Sequence, residues 1–271
     1  MVRSLWTAAT GMIAQQTNVD TIANNLANVN STGYKAEVAE FKSLLYQTMQ
    51  TKTTTANGAN KPIGAQVGLG VRNSAITSIF KQGSMLASES DTAFAITGEG
   101  FFALRGQDGE TYYTRNGNFL FTTAQNGMML ANSDGLPVLD TNGQPILLGK
   151  QYVASKIKVN ADGQLTYPDE RNNPQPIGIQ IGLYQFTNPS GLEKVDSTMY
   201  QASAASGAAI NEAANNNVRK SEVLQGYLEG SSVQVADEMV NLIVAQRAYE
   251  MNSKAITTTD EMMQQANQLK R

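Results

Sequence analysis

The chain has 271 residues, 20 basic and 23 acidic side chains and a formal net charge of -3. That length holds one large domain or two modest ones with a real core, and the weakly acidic balance argues against a nucleic-acid binder, which needs a basic patch. With no Cys and no His, disulfides, thiolate and imidazole metal sites, Cys nucleophiles and Ser-His-Asp triads are excluded. Charged residues are 16% of the chain, against roughly 25% in an ordinary soluble domain. The polarity sits in amides instead: 24 Asn and 21 Gln outnumber all the charged side chains. Such a surface resists association weakly and suits repeated contacts between copies. No run reaches the ~18 apolar residues of a membrane-spanning helix. No apolar core follows Met1-Val2-Arg3, so the protein is expected either in the cytosol or exported without a cleaved signal.

Residues 4–29 read as a helix. Leu5, Met12, Val19 and Leu26 recur every seven residues, and Ala8, Gln15, Ile22 and Val29 follow three later. This is the a/d spacing of a coiled coil. Only Arg3 and Asp20 are charged in the first thirty residues, so more than one face of this helix is expected to meet protein; an ordinary amphipathic helix on its own core is the alternative. Residues 47–68 are rich in Thr, Asn and Gly with little periodicity, and by themselves read as a linker or long extended loop.

From 70 to 200 the turn signals are dense. Asn-Gly stands at 116–117, 126–127 and 142–143, and Asp-Gly at 108–109, 134–135 and 162–163. These dipeptides readily take the positive φ of tight hairpins. Between them lie strand-like runs at 101–104, 112–114, 119–121 and 156–159, and a longer alternating run from Ile177 to Phe186. The region reads as an antiparallel β domain of short strands. Residues 201–217, rich in Ala, Ser and Asn, read as a second linker. Near the C-terminus Val235, Leu242, Tyr249, Ile256 and Met263 recur every seven, with Met239, Gln246, Ser253 and Asp260 four after each of the first four. The expected fold class is therefore α+β and multidomain. Paired N- and C-terminal coiled-coil helices (1–30 with 232–271) enclose a central antiparallel all-β domain (71–199), with extended connectors (31–70 with 200–231).

Chemistry is hard to find. Gly98-Glu99-Gly100 lacks the third glycine of a dinucleotide fingerprint and leads into β pattern, so it reads as a tight turn into a strand. Neither a G-x-S-x-G elbow nor a phosphate loop occurs. Asp169-Glu170 reads as a solvated loop tip. Asp237-Glu238 opens the C-terminal helix, where carboxylates favour its dipole. Met12, Met239 and Met263 fall on the seams and read as packing residues. No catalytic, cofactor or metal residue is assigned. The competing class, a β-domain enzyme or glycan-binding module with coiled-coil ends, finds no supporting side chains.

The segment Ala23-Asn24-Asn25-Leu26-Ala27-Asn28-Val29-Asn30-Ser31-Thr32-Gly33-Tyr34-Lys35 closely resembles the N-terminal signature of the flagellar rod and hook axial proteins. The opening 3–12, the stretch Gln246 to Ile256, Gly98 to Phe102 and Tyr113 to Phe119 are similar to the same family. The small central domain and the segment from 47 to Arg72 resemble the distal rod members; a proximal rod or hook-type subunit is the alternative. The resemblance implies a helical homopolymer, a straight hollow drive shaft that carries torque to the hook and conducts exported subunits. Its terminal helices would form the inner wall and order on assembly. It also implies export by the flagellar apparatus, a place in the extracytoplasmic basal body, proximal rod proteins below and hook protein above. Surrounding ring proteins and peptidoglycan are further candidate partners; nucleic acid and a membrane span are not expected. The assembly surface would comprise Leu5, Met12, Val19, Ile22, Leu26, Val29, Val235, Met239, Leu242, Tyr249, Ile256 and Met263. Asn24, Asn25, Asn28 and Asn30 would hydrogen-bond nearby backbone where the helix ends, or be solvated, and Gly33 would take a positive φ. Gln47, Thr54, Asn57, Lys61, Pro62 and Gln66 would bridge neighbouring subunits and stiffen the rod.

Overall fold

A computed structural model describes residues 2–50, 65–124, 127–169, 173–215 and 217–269. The chain forms two compact units, one of 1–27, 37–77 and 234–271, the other of 28–36 and 78–233.

The first unit is built on two helices, α1 (Val2–Ala27) and α2 (Val235–Gln268). They pack against each other and run antiparallel. Near one end of the pair Asn25 hydrogen-bonds Glu238 (3.3 Å), and fourteen residues along each helix Gly11 lies against Asn252. Asp237 and Glu238 occupy the first turn of α2, as their charge favours. A two-stranded ribbon, Glu37–Ser43 with Val71–Ser78, lies beside α1. Segment 47–68 departs from the linker reading at both ends. Tyr46–Gln50 and Ala65–Gly68 pair antiparallel, Gln47 opposite Val67 and Thr48 opposite Gln66, as a hairpin stem. Thr54, Asn57, Lys61 and Pro62 lie outside the described residues.

The second unit is antiparallel β throughout its paired strands. Its main sheet has six strands, in the order Glu193–Lys194, Met199–Gln201, Thr111–Thr114, Phe101–Arg105, Leu183–Gln185, Ile210–Asn211. Two three-stranded sheets and two strand pairs complete it. Strand Phe101–Arg105 is covered on both faces: Phe102 and Leu104 enter one core with Ile96, Phe119 and Val138, while Phe101 packs with Tyr113, Phe186 and Tyr200. A strand buried on both sides reads as a continuous apolar run, as 101–104 does.

Three expectations need correction here. The run 177–186 is two strands, Pro174–Gln180 and Leu183–Gln185. Gly182 separates them where a Cβ would strike the Asp140 carbonyl. Residues 156–159 supply only a turn of 3-10 helix and the two-residue strand Lys158–Val159. In segment 201–217 the described residues are anchored and not a loose linker: Ser206 and Glu212 are buried and Ile210–Asn211 joins the main sheet. Its polar composition hides this, because its buried groups are hydrogen-bonded, not apolar. Glu212 accepts from the Ser221 amide (2.6 Å), the Ser221 hydroxyl (2.8 Å) and Gln185 (2.8 Å). Among the described residues no helix is long and apolar enough to cross a membrane.

Candidate assembly interface

In the helical unit the inner face of α1 is made by Ala8, Ile22 and Asn25, with Ala14 and Thr21 beside them. Leu5, Met12, Val19 and Leu26 are half-buried, so this seam is centred on the second predicted set and not the first. Val29 falls past the helix, in a turn of the β-rich unit. On α2 the inward positions are Glu238, Leu242, Ala245, Asn252, Ile256, Thr259 and Met263. The every-seventh set therefore holds for Leu242, Ile256 and Met263, but its partners stand one residue earlier than the sequence reading placed them. Glu238, Ala245, Asn252 and Thr259 face in; Met239, Gln246 and Asp260 are exposed, and Ser253 is half-buried like Asn252. Apolarity misleads because about half of the inner face is small or polar, Glu238, Ala245, Asn252 and Thr259 among Leu242, Ile256 and Met263, which lets the helices approach. Gly11 shows this: a Cβ there would come within 2.9 Å of the Asn252 amide.

The apolar residues displaced from the seam lie on the outside. Val240 (60% exposed), Val244 (62%), Met251 (66%) and Met262 (47%) fall within about 40° of one another around α2 and about 120° from its inner stripe. Val235, Met239, Ile243 and Tyr249 are also exposed, so Met239, Met251 and Met262 do not pack a core. On α1, Trp6 and Ile13 are both 66% exposed and share the face opposite the seam. The hairpin stem continues this character, with Leu45, Tyr46 and Met49 exposed and Gln47 and Gln66 pointing outward as well.

Of the four asparagines, Asn25 makes the decisive contact. It is 1% exposed; its Oδ1 accepts from the Glu37 amide (2.9 Å) and its Nδ2 donates to the Glu37 carbonyl (2.8 Å) and to Glu238 Oε1. One side chain thus ties α1, the ribbon and the first turn of α2. Burial pushes the Glu238 carboxyl up from its ordinary value, and the Asn25 hydrogen bond opposes that. Asn24 donates to Glu37 Oε2 (3.2 Å), while Asn28 accepts from Ser31 (3.1 Å) in the β-rich unit. Asn30 is exposed. Replacing Asn25→Ala removes three bonds from a buried site and is expected to lower the stability of the helical unit by about 2 kcal/mol. The denaturant midpoint of its far-ultraviolet circular dichroism reads this directly.

In the β-rich unit Gly33 has φ +71°, as expected, and its amide donates to the Glu229 carbonyl (2.8 Å). Beside it lies a buried ionic cluster that the sequence reading missed. Lys35 Nζ meets Glu229 Oε1 at 2.6 Å and Arg115 Nη1 meets Oε2 at 3.5 Å; the Lys35 and Glu229 side chains are fully buried. Lys35 also donates to the Lys81 carbonyl and Arg115 to that of Gly98, both at 2.8 Å, and Gly83 N–H adds a third donor to the carboxylate. Burial draws both cations below their ordinary pKa, opposed by Glu229. The sequence does carry a signal. Lys35 is the only charge between Asp20 and Glu37, Arg115 between Glu110 and Asp134, and Glu229 between Glu222 and Asp237. Gly98-Glu99-Gly100 is the tight turn anticipated, its Gly100 amide donating to buried Ser221 (2.9 Å).

Comparison with known proteins shows the family of the chain. Family models described as "Flagella basal body rod protein", "Flagellar hook protein FlgE/F/G D1 domain" and "Flagellar basal body rod FlgEFG protein C-terminal" match residues 5–35, 95–167 and 224–269. The flagellar basal-body rod protein FlgG of Borreliella burgdorferi is 43% identical over 273 residues, covering all of both chains. The proteins of the same name from Buchnera aphidicola subsp. Schizaphis graminum (40%, covering 99% of this chain and all of that one) and Agrobacterium fabrum (41%, 96% and 97%) are similar throughout. With identity at this level from end to end, the chain belongs to the FlgG family of flagellar basal-body rod proteins.

Proposed function

We propose that the protein is a structural, non-catalytic subunit of the flagellar distal rod, which grows by helical polymerisation into a straight hollow shaft. The observation that carries the reading is the second apolar stripe of α2. Val240, Val244, Met251 and Met262 stay exposed after α1 has covered the inner face. Exposed apolar side chains repeated along a 34-residue helix are satisfied by packing against another chain, and a heterologous contact whose rotation does not close yields a filament. The helix pair acts as a coiled coil within this assembly, with Ile22, Leu242, Ile256 and Met263 on its inner face, and the predicted residues left exposed, Val235, Met239 and Tyr249, supply contacts to neighbouring chains. Ordering of both helices is completed on joining the rod, because packing and not propensity stabilises them. The shaft carries torque from proximal rod proteins to the hook. The chain reaches the extracytoplasmic basal body through the flagellar export apparatus.

The segment 47–68 bridges neighbouring subunits in this reading. Its paired strands present Tyr46 and Met49 outward, next to Leu45 (84% exposed), and an exposed paired stem suits docking better than a loose linker would. Electron microscopy of assembled rods tests both levels. The intact chain forms straight tubes, and deletion of 47–68 gives curved, hook-like polymers. Straight rods from the deletion would remove the bridging role, and absence of any polymer from the intact chain would remove the rod function.

A further inference from the structure

We propose that Glu229 gates the closure of the β-rich unit, holding it open until the C-terminal part of its sequence is available. The cluster gathers four chain segments, 33–36, 81–83, 98–115 and 229–232, around one carboxylate. Segments 32–35 and 114–116 meet independently of it: Thr32 donates to Asn116 Oδ1 (2.9 Å), and the Gly33 α-carbon packs against the backbone of Arg115 and Asn116. Residues 28–36 and 78–118 can therefore begin to close early. Doing so would bring Lys35 and Arg115 together with no carboxylate bonded to either, Glu99 acting on Arg115 only as a more distant charge. A buried cation without a partner costs several kcal/mol even after relaxation.

Among the described residues Glu229 is the carboxylate bonded to both cations. It is also the last member of the cluster along the chain, 194 residues after Lys35. A chain that emerges N-terminus first presents two like charges before the group that neutralises them. Arrival of Glu229 fixes the two crossing segments in the same step. The Gly33 amide donates to the Glu229 carbonyl (2.8 Å), and the Ser232 amide donates to the Tyr34 carbonyl (3.1 Å). The inference does not depend on the rod reading, since it concerns one unit of one chain.

Refolding and unfolding rates of the full chain test it, with pulsed hydrogen exchange reporting amides of the β-rich unit. Glu229→Gln keeps shape and an acceptor for Gly83 but removes the charge. It is expected to slow refolding about tenfold or more while changing the unfolding rate less than about twofold. The variant Lys35→Met/Arg115→Met/Glu229→Gln removes both cations together with the carboxylate and is expected to refold within about threefold of the parent. An unchanged refolding rate with faster unfolding in Glu229→Gln would place the carboxylate after the barrier and overturn the gate. If Glu229→Gln does not fold, the charge-free variant decides. Recovery of folding supports the gate, and failure of the charge-free variant as well overturns it, because excess positive charge would then not be what the carboxylate relieves.

Discussion

Gly33→Ala is expected to destabilise the β-rich unit by about 4 kcal/mol, combining backbone strain with overpacking. The residue sits at φ +71°, a conformation that costs an alanine about 1 kcal/mol by itself. A Cβ there would also lie 2.5 Å from the Asn116 nitrogen and 2.7 Å from the Arg115 carbonyl carbon. Those atoms cannot retreat easily. The Asn116 amide is held by Thr114 Oγ1 (3.0 Å), and the Arg115 side chain is fixed in the ionic cluster. Gly109 is the control. Its φ is +81° with nothing within 4 Å of the added carbon, so Gly109→Ala keeps the strain without the clash and should cost about 1 kcal/mol. Guanidinium unfolding of the two variants separates the contributions. Equal losses at both positions would show that close approach is not what demands glycine at 33.

The contrast shows which parts of this fold the sequence announces. Asp-Gly at 108–109, 134–135 and 162–163 predicts turns, and each of those glycines has φ close to +80°. Asn116-Gly117 predicts one too, yet Gly117 is glycine because its α-carbon lies against the Phe94 carbonyl. That is a tertiary fact no dipeptide carries. The helix limits are legible from periodicity, while the seam register is not. Ala245, Asn252 and Thr259 face inward because α1 approaches closely there, and apolar scoring prefers Met239, which is exposed. The hairpin stem is hidden for a related reason: with both faces open to solvent its strands need no apolar alternation. The ionic cluster joins residues up to 194 apart in sequence, and only the isolation of each charge in a neutral stretch hints at it.

The misplaced seam is informative about function, because the apolar residues that do not serve the chain's own packing remain to be explained. Val244→Asp/Met251→Asp is expected to leave the monomer intact and abolish rod growth. Both side chains are more than 60% exposed, and surface substitutions of this kind change stability by about 0.5 kcal/mol or less. In a rod they would place two carboxylates in an apolar contact, each costing several kcal/mol when left unpaired. Since every added subunit makes the same contact, the penalty repeats at each step of growth. Ala245→Asp, on the inner seam at 2% exposure, is the counterpart: it should disrupt the helix pair in the monomer as well. Circular dichroism separates the two variants, and electron microscopy then counts rods. A Val244→Asp/Met251→Asp chain that still builds straight rods of normal length would mean that the second stripe faces water in the assembly. The contact between subunits would then have to be sought on Trp6, Ile13 and the hairpin stem.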